Sequence, residues 1–118
     1  MPTKKRRHKV AEQVRSVMAM HVLELGDPRF SLVTIVSVAV TNDLRLAKIY
    51  WTASGGKDRI DEVTSAFEGA SSSLRRRLAE ELALRFVPQL KFYYDDTLDV
   101  LEEADRLLAR ARTAKENL

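Results

Sequence analysis

Two runs rich in β-branched and aromatic residues, 32–41 and 44–53, lie back to back with only Asn42 and Asp43 between them. Such side chains suit a pleated surface and an asparagine–aspartate pair suits a tight turn, so the two runs predict an antiparallel hairpin. If those two residues are the whole loop, Val38 faces Ala47, Val36 faces Ile49 and Thr34 faces Trp51. These pairs would line the buried face, leaving Val33, Ile35 and Ser37 beside Lys48, Tyr50 and Thr52 on the other. A two-stranded hairpin is marginal in water, so other elements must cover its apolar face.

The flanking sequence supplies them. Val10, Val14, Val17, Met18, Val22 and Leu25 recur at helical spacing until Gly26, Asp27 and Pro28 stop the helix. A second helical stripe runs through Ile60, Val63, Phe67, Ala70, Leu74, Leu78 and Leu82. Gly69, Ser71, Ser72 and Ser73 are poor helix formers inside it, which predicts two helices meeting at a kink around residues 70–72; one bent helix satisfies the same stripe. Leu90, Phe92 and Tyr94 alternate with Lys91 and Tyr93 as a third strand. Asp96 is placed to cap a last small helix carrying Val100, Leu101, Ala104, Leu107 and Leu108. The order helix, strand, strand, helix, kink, helix, strand predicts a two-layer α+β domain, a three-stranded sheet with helices on one face. That order matches the type II KH arrangement, a small RNA-binding fold. The usual Gly-x-x-Gly loop between the paired helices is absent; Ala70, Ser71 and Ser72 hold its place.

A chain of 118 residues fits a single domain, and 45% apolar residues with 31% charged ones fit a globular rather than a disordered class. Residues 1–7 are expected to form a flexible basic arm and 112–118 a frayed tail. The lack of cysteine excludes disulfide frameworks, thiolate metal sites and thiol nucleophiles, and agrees with a reducing cytoplasm. No apolar run is long enough for a membrane span, and the amino terminus lacks a secretory pattern. With no obvious apolar patch, a cytoplasmic monomer is the expectation.

Charge is more segregated than the net value of +3 conveys. Residues 1–9 contain Lys4, Lys5, Arg6, Arg7 and Lys9 without an acid, whereas residues 95–105 contain Asp95, Asp96, Asp99, Glu102, Glu103 and Asp105 without a base. Such polarity favours oriented docking on a polyanion. Arg75, Arg76 and Arg77 follow the expected kink and so open a new helical segment, where the helix dipole disfavours cations. Arginines placed there point to an external anion, with phosphate the first choice. Three successive residues cannot share a helix face, so one is expected to pack inward and two to face RNA.

Arg15, off the apolar stripe of the first helix, and Arg45 and Lys48 on the hairpin are further candidates for RNA contact. Arg85 is expected to serve nearby carbonyls. Tyr50 and Tyr93, on the face away from the helices, either stack bases or simply cover the strands. Asp95, Asp96 and Asp99 form the one cluster that could hold Mg²⁺ for hydrolysis, but acids at a helix start ordinarily cap it. His21, on an apolar stripe, reads as a satisfied core histidine, and His8 as part of the arm.

Three segments resemble the bacterial ribosome-binding factor A family: DPRFSLVTIVSVAVTNDLRLAKIYW at 27–51, LRRRLAEELALRFVPQLKFYYDD at 74–96, and the basic lead and helix at 6–25. The resemblance implies a KH-like factor without catalytic activity that binds the small (30S) ribosomal subunit and its 16S rRNA late in assembly. It implies neither cofactor nor metal. It also implies an Ala-x-Gly kink in place of Gly-x-x-Gly, aligned on Ala70 and Ser72, so this chain departs from the pattern at Ser72, with Gly69 as the neighbouring source of backbone freedom. Two other readings are a KH-like RNA- or DNA-binding module without a ribosomal role, and a metal-dependent hydrolase built on the three aspartates.

Overall fold

The computed structural model describes residues 3–116. Helix α1, Lys4–Glu24, begins at Thr3, whose hydroxyl accepts the Arg6 N–H at 3.1 Å. The basic lead from Lys4 onward is therefore the first turn of a helix rather than a flexible arm, because a capping threonine joins it to the apolar stripe. Val10, Val14, Met18 and Val22 are buried along that stripe. The helix ends where expected: Gly26 takes a positive φ of 67° just beyond it, and Asp27 caps a short 3-10 turn, Pro28–Phe30, by accepting the Arg29 N–H at 2.9 Å.

Strands β1, Val33–Val40, and β2, Leu46–Ala53, form the predicted hairpin but not in the predicted register. The loop is five residues long, not two. Thr41 closes it by donating its N–H to the Leu46 carbonyl and accepting the Leu46 N–H on its hydroxyl, while Leu44 sits at φ 60°. Val38 consequently pairs with Ile49, and Val40 with Ala47. A bulge between Ile35 and Ser37 then shifts the register again, so Ile35 meets Trp51. The extra residue reverses the facing of the first half of β1. Ile35 is buried, whereas Val36 and Thr34, assigned to the core from alternation, are exposed. On β2 the expectation holds: Ala47, Ile49 and Trp51 are fully buried and alternate with Lys48, Tyr50 and Thr52.

Helix α2, Ile60–Glu81, runs without interruption through residues 69–73, so the two helices expected there are one. The reason is which face carries the weak helix formers. Gly69 and Ser72 point to solvent, where each costs up to about 1 kcal/mol. Val63, Phe67, Leu74 and Leu78 are fully buried on the opposite face, each contributing about 1.5–3 kcal/mol. Packing outweighs propensity. Gly69 does not take a positive φ and nothing crowds it, so its backbone freedom is not drawn upon.

Beyond α2, strand β3, Gln89–Tyr94, lies parallel to β2, which needs a crossover the length of α2. The sheet order is β1-β2-β3. Phe92 stacks on Phe67 at 4.5 Å between centroids, and Phe67 also meets Phe30 and Trp51, which ties α2 to the sheet. α1 and α2 thus cover one face of the sheet and leave the other bare.

Helix α3, Thr97–Glu116, is far longer than the small appendage expected, and residues 112–116 are helical rather than frayed; 117 and 118 lie outside the described residues. The side chain that receives the Thr97 N–H belongs to Asp95, at 2.9 Å, not to Asp96. No residue of α3 is buried, and Leu98, Val100, Leu101, Leu107 and Leu108 are each more than half exposed.

Candidate nucleic-acid interface

Because α2 does not break, Arg75, Arg76 and Arg77 occupy its last two turns, not the start of a new helix. There the helix-start argument no longer applies: the three arginines precede the last turn, which holds no base, and the dipole acts little on them. Two of the three have work inside the protein. Arg75 donates from Nε to the Pro88 carbonyl and from Nη2 to the Val87 carbonyl, both at 3.2 Å, and so holds the loop between α2 and β3. Arg77 lies 3.3 Å from Glu81, 3.7 Å from Glu24 and 4.0 Å from Glu80, an acidic set that neutralises it. Arg76 alone is exposed with neither hydrogen bond nor ion pair among the described residues. Arg75 and Arg76 are exposed and Arg77 is half-buried, but of the two exposed arginines Arg75 is held by the loop carbonyls. The kink residues Ala70, Ser71 and Ser72 lie inside the helix, and the neighbouring Ser73 hydroxyl meets His21 Nε2 at 3.2 Å. Glu24 lies 3.3 Å from the other ring nitrogen, so His21 is satisfied as expected.

The charge anomaly sits instead at α1. Its first turn contains no acid, and Lys4, Lys5 and Arg6 are exposed there; Lys9 is exposed one turn on. Arg7 is half-buried, with its Nε enclosed and unpartnered among the described residues. Cations at this pole raise the energy of the folded chain unless an anion is present. His21 marks where α1 meets the triplet-bearing half of α2. From there to Lys4 the helix extends about 26 Å, so the two cationic groups form separate surfaces. Arg15 is not available in the same way: its guanidinium holds Glu12 at 3.0 Å, and that hydrogen bond keeps the Glu12 carboxyl below its ordinary range.

Arg45 is exposed beside Phe86 and Val87, and its carbonyl accepts the Gln89 N–H at 2.8 Å, the contact that starts the β2–β3 pairing. Arg85 lies over the Phe86 ring at 5.4 Å instead of serving helix-end carbonyls. Lys48 points from the bare sheet face, in register with Lys91 of β3. Sequence reasoning missed Lys91 as a partner for Lys48. The signal was its shared alternation with Tyr93, but only the parallel pairing places it beside β2. Tyr50 and Tyr93 stack next to the lysines, with centroids 5.6 Å apart.

The aspartate cluster is occupied locally. Asp95 accepts from the Thr97 N–H and hydroxyl, and those bonds hold its carboxyl below the ordinary range. Asp99 accepts from the Tyr94 hydroxyl; burial, aided by that bond, pushes the phenol up to about 12. Among the described residues no three histidine or carboxylate side chains gather as a metal site requires. The cleft between α3 and the turn Gly56–Arg59 sets Asp58, Asp96, Asp99, Glu102 and Glu103 against only Lys57 and Arg106, a net charge of the wrong sign for phosphate. No helix is long and apolar enough to cross a membrane among the described residues.

Comparisons with known proteins agree with this architecture. The family described as ribosome-binding factor A matches residues 6–108. A ribosome-binding factor A from Nitrosomonas europaea is 36% identical over 104 residues, 87% of this chain and 89% of that one. The crystal structure of ribosome-binding factor A from Thermus thermophilus superposes with a TM-score of 0.68 at 24% identity, covering 75% of this chain and 94% of that one. A Thermus thermophilus homology model, fitted into a cryo-EM map of a 30S–RbfA complex, superposes with a TM-score of 0.61 at 25% identity, covering 72% and 90%. With residues 6–108 matched and over a third of positions identical to a relative along most of both chains, this protein belongs to the ribosome-binding factor A family.

Proposed function

We propose that this protein is a non-catalytic assembly factor in the cytoplasm, which binds immature 30S particles through 16S rRNA and acts late in rRNA maturation. The observation that carries this reading is family membership, together with a relative whose structure is described in a complex with 30S. The cations on the first turn of α1, joined by Arg76 and Arg45, are the groups that would meet phosphate. Binding that prefers an immature rRNA conformation would hold the factor until the mature one displaces it.

Co-sedimentation of the purified protein with small subunits tests this directly. Association at low salt is expected, with log affinity falling against log salt at a slope of roughly −3 to −4 if about five phosphates are contacted. No association at any salt, or a flat response, would refute it. Selective capture of an unrelated single-stranded nucleic acid over rRNA would favour a KH-like module outside the ribosome.

A further inference from the structure

We propose that the bare face of the sheet is a second RNA site, which takes a single-stranded segment by stacking bases on Tyr50 and Tyr93 and holding its phosphates with Lys48 and Lys91. The strands β1, β2 and β3 contain no aspartate or glutamate, and these two lysines are their only bases. Lys48 and Lys91 are register partners on adjacent strands, about 4.8 Å apart in the hydrogen-bonding direction. Like charges side by side in a sheet are unfavourable, and among the described residues neither lysine has an ion-pair partner. Glu68 of α2 reaches the β3 edge near Lys91 but forms no ion pair with it. The arrangement is complementary to an anion brought from outside.

The neighbouring row specifies which anion. Tyr50 and Tyr93 are also register partners, one step along the same face, with rings inclined by only 28°. Tyr93 leaves 40% of its surface in solvent. A paired aromatic ledge about 6.6 Å from a paired cation places π-faces and charge within one nucleotide's span. Every base has a face to stack, so such a ledge favours unpaired strands without demanding a sequence. Duplex RNA hides those faces and would gain only the two lysines. Thr64 and Glu68 of α2 reach this side only at the β3 edge, and Leu98 and Glu102 of α3 only at its far end beside Thr34 and Thr52. The bare face is thus a surface distinct from the first turn of α1. This inference rests on the reading of the protein as an RNA-binding factor and adds a single-strand site to it.

The test uses the full chain with a short unstructured RNA oligonucleotide, followed by fluorescence anisotropy and tyrosine quenching. Tyr93→Ala should weaken binding about 5- to 150-fold, whereas Tyr93→Phe should retain it. Lys91→Glu should weaken it further at low salt, and unchanged circular dichroism melts would show that both variants stay folded. Wild-type affinity in folded Tyr93→Ala and Lys91→Glu, or no binding by the parent protein, overturns the proposal. Loss of 30S association in these variants without loss of oligonucleotide binding overturns it too, and assigns the face to a protein partner. If the oligonucleotide binds through the sheet but 30S particles do not associate, the ribosomal role fails and this site stands.

Discussion

Cations crowd the opening of α1 and the closing turns of α2, and their surroundings are opposite. Near the close of α2, Arg75 meets carbonyl oxygens and Arg77 three glutamates, and no helix start opposes them. At the opening of α1, Lys4, Lys5, Arg6 and Arg7 share a turn that holds no acid, and the dipole opposes them. The start of α3 shows the ordinary arrangement, with Asp99 in its first turn and Asp95 just before it. Residue type alone therefore does not mark a binding cation. What marks one is a position where charge is unfavourable until a ligand arrives.

The sharpest way to break this contrast is to reverse the first turn of α1. Lys4→Glu, Lys5→Glu and Arg6→Glu together should lower 30S affinity by about 100-fold or more at low salt. The melting temperature should rise by about 2–6 °C, since acids suit that pole. A fall in both would make these residues structural. Arg75→Ala should do the converse, costing about 1–3 kcal/mol in denaturant unfolding as the Val87 and Pro88 carbonyls lose their donor, with 30S affinity nearly unchanged.

A smaller effect should appear at the start of α3. The Tyr94 phenol, pushed up to about 12, stays protonated in the folded chain after an unfolded one ionises near 10. Its contribution is complete below pH 10 and is lost as pH rises towards 12. Comparing melts of the parent with Tyr94→Phe across that window should show the steeper decline in the parent. Least of all, Arg77→Ala should cost at most about 1 kcal/mol, and the difference should vanish in concentrated salt, because its ion pairs are open to solvent.

Much of the fold was legible because it follows local periodicity. The stripe of α1, the alternation of β2 and β3, and the Gly26–Pro28 stop all gave elements near their true bounds. Register was not legible, because it depends on Leu44 adopting a left-handed turn and on Val36 bulging, neither of which alternation encodes. Whether α2 breaks stayed open for a related reason: propensity flags Gly69 and Ser72 without revealing that they face solvent. The candidate site suffered most. The triplet owed its prominence to a helix start that does not exist, while Lys91 acquires Lys48 as a neighbour only through a parallel pairing 43 residues distant in sequence. Non-local geometry, not residue chemistry, separates the structural cations from the available ones.

The solvated α3 rod also governs how the molecule moves. A compact chain of this length has a radius of gyration of about 13.5 Å, whereas the outrigger raises it to 17.9 Å and stretches the longest axis to 65 Å. Friction grows with that elongation, so the protein should emerge from a sizing column ahead of compact standards of equal mass. Light scattering, which weighs particles instead of timing them, is the measurement that separates this shape effect from true self-association.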